Sequence, residues 1–422
     1  MPDNIPDFFS DPAVIQNPVD YYSQMRSLCP VAREPHHGAY MVTGYDAVGE
    51  LLNRKDEALS ACRGVVGPLP PLPFEPEGGD ISRQLEAVRD ELPWSAHLVS
   101  FDGQKHTDHR ALVTGLLTYK RIKQNEDYLR GLADKLIDRF IDDGQCNVVP
   151  QYGHATTTYA ISDFMGIPEE DRQVLLEAIG APPSQIDGDS AMKIGPDPLI
   201  GMKDLFDSYL RDRIENPRDD LMTELVQSRF RDGTEVPFDA LSNLARFIFG
   251  AGQDTTSHLI SMSIRILADD SELQQFLRRS PERIPDFIEE VLRFDPPVKV
   301  SYRLAVTDTA VAGVEVPAGA VMTACLVGAN HDPEHFPEPE TFDIDRPNRR
   351  DHMSFSRGIH GCPGAPLGRM ETRIALERLL ARTSEFYLDE AHHGPPGDRR
   401  LNFVPTYSFR SLVDLHIKFT PA

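Results

Sequence analysis

The segment FSRGIHGCPG, Phe355 to Gly364, constrains the fold most, because it sets one cysteine in a glycine-rich turn directly ahead of a helix. The run that follows, GRMETRIALERLLAR, is strongly periodic. Pro363 and Pro366 suit a first helical turn, where their missing N–H groups are not needed. A sulfur at a helix start lies near free N–H donors and the positive end of the helix dipole, which favour thiolate. Gly358, Gly361 and Gly364 let backbone approach a large flat ligand closely. The plainer reading is a glycine-rich turn with an incidental cysteine.

The rest of the chain reads as helices around that junction. In NEDYLRGLADKLIDRFIDDG, Leu129, Leu132, Leu136, Phe140 and Ile141 form one apolar stripe, and Gly144 ends it. Similar patterns run through Asp220 to Arg229, Pro285 to Arg293 and Arg369 to Leu380, and a long apolar helical stretch runs from Phe238 to Ala268. Strand signals are short: Ala39 to Thr43, a pair within Val311 to Leu326 turned at VPAG, and Leu412 to Phe419. No repeat or linker divides the 422 residues, so the expected fold is one mainly α domain, 1–422, with a small β-sheet region. Two segments read as irregular: Ala61 to Leu92, rich in proline, glycine and acid, and Asn330 to Arg350, which leads into the cysteine turn.

Composition removes several function classes. A formal net charge of −23 disfavours nucleic acid and anionic membrane surfaces as partners. Cys29, Cys62, Cys146, Cys325 and Cys362 are odd in number, scattered and without a CxxC pair, against both a disulfide framework and a closed zinc site. The N-terminus has no basic n-region, and no run approaches the roughly 20 apolar residues that span a bilayer. The expectation is a cytoplasmic protein with no membrane anchor.

Three further patterns carry chemistry. In AGQDTT, Asp254 and Thr255 stand inside the long apolar stretch, where buried polar groups are costly unless satisfied and a threonine can bond back to a preceding carbonyl. A satisfied threonine pair beside a solvent-facing Asp254 is the plainer alternative. EVLR pairs Glu290 and Arg293 at i and i+3, by itself an ordinary ion pair. In DGQKHTDHR, His106 and Arg110 lie at i and i+4; His106 and His109 make a poor metal pair, since no third ligand is near.

Phe355, Gly358, His360, Cys362 and Gly364, spaced F-x-x-G-x-H-x-C-x-G, resemble the haem-binding signature of the cytochrome P-450 superfamily, soluble bacterial type. The resemblance runs from about Tyr21 to Phe419, with its marks in the family's order. It implies a single triangular-prism P-450 domain holding haem b (iron protoporphyrin IX), with the Cys362 thiolate as axial metal ligand in a haem-thiolate loop, 353–369. It further implies that Phe355 packs beneath the haem, and that His360, His106, Arg110 and Arg303 meet the propionates. Ala251 with Gly252 would make room for dioxygen, while Asp254 and Thr255 organise water and deliver protons. Glu290, Arg293 and Arg346 would form a structural charge group. Pro363 removes one backbone donor, so any N–H···S bond must come from further along.

By the same resemblance, the substrate pocket is walled by a probable access lid, 61–100, and by Leu98, Leu244, Phe247, Ala251, Val298, Ser301 and Tyr407. These are mostly apolar, which fits a terpenoid, steroid or aromatic. Lys299 is a candidate to pair with a substrate carboxylate, against the ordinary outcome of a solvated lysine. The implied function is a monooxygenase inserting one atom of O2 into a C–H bond. A peroxide-driven peroxygenase and a non-catalytic haem sensor are the rivals. Electrons would come from a separate ferredoxin or flavodoxin with an NAD(P)H-dependent reductase, docking on the cysteine face near Arg110, Arg357 and Arg369 of a monomer.

Overall fold

A computed structural model describes residues 5–179 and 195–422. Its axis is the helix Phe238–Asp269, whose 32 residues make a rod of about 48 Å. Most of that helix is buried, from Leu241 to Ala268. The helices Ala155–Met165 and Ala365–Arg382 pack against it, and Glu126–Asp138 packs on both of these. The stripe read in the last of these is real: Leu129, Leu132, Leu136 and Phe140 are buried together, and Gly144 closes the segment with φ 65°.

The strands, numbered in chain order, are β1 Val31–Arg33, β2 Tyr40–Val42, β3 Leu59–Ser60, β4 Gln145–Asn147, β5 Val300–Ala305, β6 Thr309–Val311, β7 Val314–Val316, β8 Val321–Cys325, β9 Thr383–Leu388 and β10 His416–Pro421. They form a five-stranded sheet in the order β1-β2-β8-β5-β3, a three-stranded sheet β4-β10-β9, and the hairpin β6-β7. The molecule is thus mainly helical with small sheets.

Two local expectations are corrected. The predicted pair turned at VPAG is instead β6 and β7 turned at Ala312–Gly313, both with positive φ. VPAG then carries the chain to β8 in the other sheet, where Val321 pairs with Leu304. The stretch 61–92 is not irregular throughout. It contains the helix Ser82–Val88, buries Ile81, Leu85 and Leu92 in the core, and is stitched by the Ile81 N–H donating to the Val306 carbonyl at 2.9 Å. Its apolar residues were hidden among prolines and acids that dominate its composition.

Candidate active site

The cysteine turn is held by its own backbone. Ser356 N–H donates to the Met353 carbonyl and Cys362 N–H to the Phe355 carbonyl, both at 2.8 Å. Gly358 takes φ 68°, and a Cβ built there would lie 2.2 Å from the Leu52 carbonyl oxygen, at the end of helix Tyr45–Asn53. That glycine is therefore required by chain approach and left-handed backbone alone. Pro363 contributes no donor, and the N–H groups of Gly364 and Ala365 turn to Cys362 Sγ. The sulfur keeps an accessible face, yet the protein crowds it enough that burial pushes its thiol up. The two N–H groups, Arg110 and Arg369 pull the other way. A bound metal removes the thiol proton outright.

Beside the turn, four basic side chains converge without a carboxylate among their partners. His106 and Arg110 project from the helix Gly103–Leu116, Arg303 from β5, and His360 from the turn. The rings of His106 and His360 lie 4.1 Å apart. Arg110 donates to the Gly361 carbonyl, and Arg303 to the Tyr302 carbonyl at 2.7 Å and the Ser301 hydroxyl at 3.3 Å. His106 Nε2 is buried with no partner. Burial pushes Arg303 down to about 10, and burial with the neighbouring Arg303 and His106 pushes His360 down to about 2. Basic groups so arranged can take a doubly anionic group.

Glu290 brings Arg293 and Arg346 together in one buried group. Arg293 forks onto both Glu290 oxygens at 2.9 and 2.7 Å, and Arg346 Nε reaches Oε1 at 3.2 Å. The remaining guanidinium donors go to carbonyls of Asn330, Pro337, Glu338, Pro339 and Thr341. The irregular segment 330–350 is thus wrapped around two arginines, which is why it needs no secondary structure of its own.

On the long helix, Thr255 Oγ1 donates to the Ala251 carbonyl at 3.1 Å, the back-bonding expected of a mid-helix threonine. The Asp254 side chain is 62% accessible yet surrounded by protein, and burial raises its carboxyl. His154 Nε2 stands 3.9 Å from it, at the end of the π-turn Val149–His154.

Among the wall residues, Leu98 and Leu244 share a cavity of about 300 Å³ with Phe101, Lys105, His109 and Ala240. Phe247 stacks on His97 at 5.8 Å. Val298 bridges to Phe409, and the buried Tyr407 donates its hydroxyl to the Val66 carbonyl at 3.2 Å. Lys299 faces no pocket: its ammonium is buried and donates to the Ile15 carbonyl at 2.8 Å and the Thr406 carbonyl at 2.5 Å. Both the carboxylate-pairing and the solvated readings are corrected.

Comparison with known proteins decides the family. The cytochrome P-450 family profile matches residues 202–400. A cytochrome P-450 140 of Mycobacterium bovis is 32% identical over 380 residues, 88% of this chain and 84% of that protein. This chain is a cytochrome P-450. The substrate-free structure of cytochrome P-450 CYP150A6 from Mycobacterium marinum superposes with a TM-score of 0.92 at 39% identity, covering 99% of each chain. CYP109E1 from Bacillus megaterium, in complex with corticosterone, superposes with a TM-score of 0.79 at 25% identity, covering 96% of this chain and 99% of that one.

Members of the P-450 family are haem-thiolate monooxygenases. The residues present fit that cofactor: an accessible sulfur at a helix start, and a basic cradle that includes a partnerless buried histidine nitrogen. No helix among the described residues is long and apolar enough to cross a membrane. Two groups of this P-450 escaped the sequence reading. Glu289 takes Arg369 on both oxygens at 2.6 and 2.9 Å, and His352 at 3.1 Å. Arg246, fully buried on the long helix, pairs with Asp197 and through it with His97. An arginine inside the apolar run NLARFIFGAG was the available signal, since a charge there demands a partner.

Proposed function

We propose that this P-450 hydroxylates a mostly apolar small molecule of the terpenoid, steroid or aromatic kind, with Cys362 as the axial ligand of haem b. The observation that carries the assignment is the pairing of Cys362, which receives two backbone N–H groups, with a basic cradle whose side chains hydrogen-bond to no carboxylate. When bound, the haem supplies dioxygen reduction and insertion of one oxygen atom into a C–H bond. Arg110, Arg303, His106 and His360 hold the propionates, and Phe355 packs beside the sulfur, with Arg369 over its ring at 4.4 Å. Leu98, Leu244, Phe247, Val298, Ser301 and Tyr407 belong to the wall region, and 61–100 to the access side. The steroid held by the CYP109E1 structure supports this substrate class.

Asp254 is the proton carrier on the substrate side. Its raised carboxyl holds a proton nearer neutrality than an ordinary aspartate, which is what a general acid needs. Thr255 is held by its bond to Ala251, so its hydroxyl oxygen remains free to accept from a water. Electrons come from a separate ferredoxin or flavodoxin with its NAD(P)H-dependent reductase, docking on the cysteine face. On that face Arg357 bonds Tyr45 and the Asp351 carbonyl, while Arg369 is neutralised by Glu289.

The test begins with the carbon monoxide difference spectrum of the reduced holoprotein. A thiolate-type band is expected, and its loss in Cys362→Ser; a thiolate band surviving that substitution sinks the assignment. A spectral titration of the ferric protein against terpenoids, steroids and aromatic acids then reports which class shifts the spin state.

A further inference from the structure

Asp197 opens the turn Asp197–Pro198–Leu199 and serves three segments that are distant in sequence. Its Oδ1 accepts from His97 Nε2 at 2.8 Å, from Arg246 Nη1 at 2.9 Å, and from the backbone N–H of Leu199 at 3.1 Å. Its Oδ2 accepts from the same Arg246 nitrogen at 2.6 Å. The side chains of His97 and Arg246 are both fully buried. Two backbone bonds, Trp94 N–H to the Gly195 carbonyl and Ala96 N–H to the Pro196 carbonyl, each 3.3 Å, join the same two loops.

The carboxylate therefore does more than neutralise an arginine, because it orients the residue two positions on. A Cβ built on Gly250 would lie 3.6 and 3.7 Å from the two methyls of Leu199, so Leu199 rests on the glycine. Gly250 adjoins Ala251. Phe247, Ala251 and Asp254 follow one another at i, i+4 and i+7 on one helix face. Leu199 thus lies over the helix at Gly250, one residue before Ala251. A methyl at 250 would meet Leu199 at ordinary van der Waals distance, so what holds the leucine there is the bond from Leu199 N–H to Asp197, and loosening at Asp197 would release it.

We propose that Asp197 is a positioning residue for substrate size: held by His97 and Arg246, it seats Leu199 on Gly250 and fixes the height of the roof above Ala251. This rests on the reading of that helix face as the substrate side of the haem. A purely structural staple would lower stability when cut and leave size selection untouched. A positioning residue changes the selection itself.

The probes are imidazole and 4-phenylimidazole, titrated spectrally against the ferric holoprotein. Asp197→Asn keeps the shape and an acceptor for Leu199 N–H but removes the charge. The affinity for 4-phenylimidazole relative to imidazole is expected to rise about tenfold, the scale on which apolar pockets discriminate size. Hydrogen exchange at the Trp94 and Ala96 amides should quicken in the same variant. The double variant Asp197→Asn with Arg246→Met leaves no unpaired buried cation, so it stays folded and should show the same gain. Leu199→Ala should reproduce the gain without faster exchange. A relative affinity within about twofold of the unsubstituted protein, in variants that keep the thiolate carbon monoxide band, overturns the inference. Absence of that band in the unsubstituted protein would overturn the haem-site reading itself, and this inference with it.

Discussion

Lys299 has another role than the sequence suggests, Gly358 has an added one, and both are testable alone. Lys299 was a candidate to pair with a substrate carboxylate or else a solvated lysine, but its ammonium is spent on the Ile15 and Thr406 carbonyls, and burial pushes it down to about 7. Lys299→Met should lower stability by about 1–3 kcal/mol, because two buried carbonyls lose their donor. Thermal unfolding reads that loss. The preference between a carboxylated ligand and its methyl ester, followed by spin-state titration, should not move. At Gly358, alanine would meet the Leu52 carbonyl at 2.2 Å with φ 68°. Gly358→Ala should destabilise by more than about 1 kcal/mol and weaken haem retention, measured as the haem-to-protein absorbance ratio after gel filtration. For Thr255→Ala, NAD(P)H consumption should persist while peroxide replaces product. Unchanged coupling would remove the proton-delivery role of the Asp254–Thr255 pair.

At the scale of elements, carboxylates fasten the cysteine side. Glu290 holds Arg293 and Arg346, and removing one member of such a buried group strands the others. Glu290→Gln should cost about 3–5 kcal/mol in chemical unfolding. Glu289 links helix Ile284–Phe294 to helix Ala365–Arg382 through Arg369, and is held down to about 2 by His352 and Arg369 against the opposing effect of burial. A carboxyl depressed in the folded state contributes stability that is full above its ordinary value, near 4.5, and lost as pH falls through the folded one. The loss should fall between about pH 4.5 and pH 2 and amount to roughly 3 kcal/mol, with Glu289→Gln flattening that part of the stability profile.

The parts legible in sequence were those with a fixed local spacing. The cysteine turn, the i, i+3 pair of Glu290 and Arg293, and the stripe of Leu129 to Phe140 each depend on neighbours a few positions away, and these came through. The carbonyls of 330–341 that Arg293 reaches, the grip of Asp197 on Arg246, and the burial of Lys299 depend on chain segments tens to hundreds of residues apart. No local spacing encodes such meetings. The VPAG turn failed for a related reason: strand length and turn residues look alike whether the next strand folds back or joins another sheet.

For the whole molecule, the charge balance of −23 repels an acidic electron carrier except where bases gather. Arg369 is neutralised by Glu289, which leaves Arg357 as the more available of the two. Arg357→Glu should slow the first electron transfer from a ferredoxin more than Arg369→Gln does, and raising ionic strength should slow the unsubstituted protein. Stopped-flow reduction at two salt concentrations checks both, and a rate indifferent to salt and to Arg357 would put the docking elsewhere.

The basic cradle also has a consequence for how the protein comes into being. Its members stand at 106, 110, 303 and 360, and the sulfur at 362, so six-sevenths of the chain must leave the ribosome before the site exists at all. Until then the early helix bearing His106 and Arg110 carries only half of the basic cluster. Cofactor loading is therefore a closing event in biogenesis. The order of synthesis alone thus rules out loading of the early helix by itself.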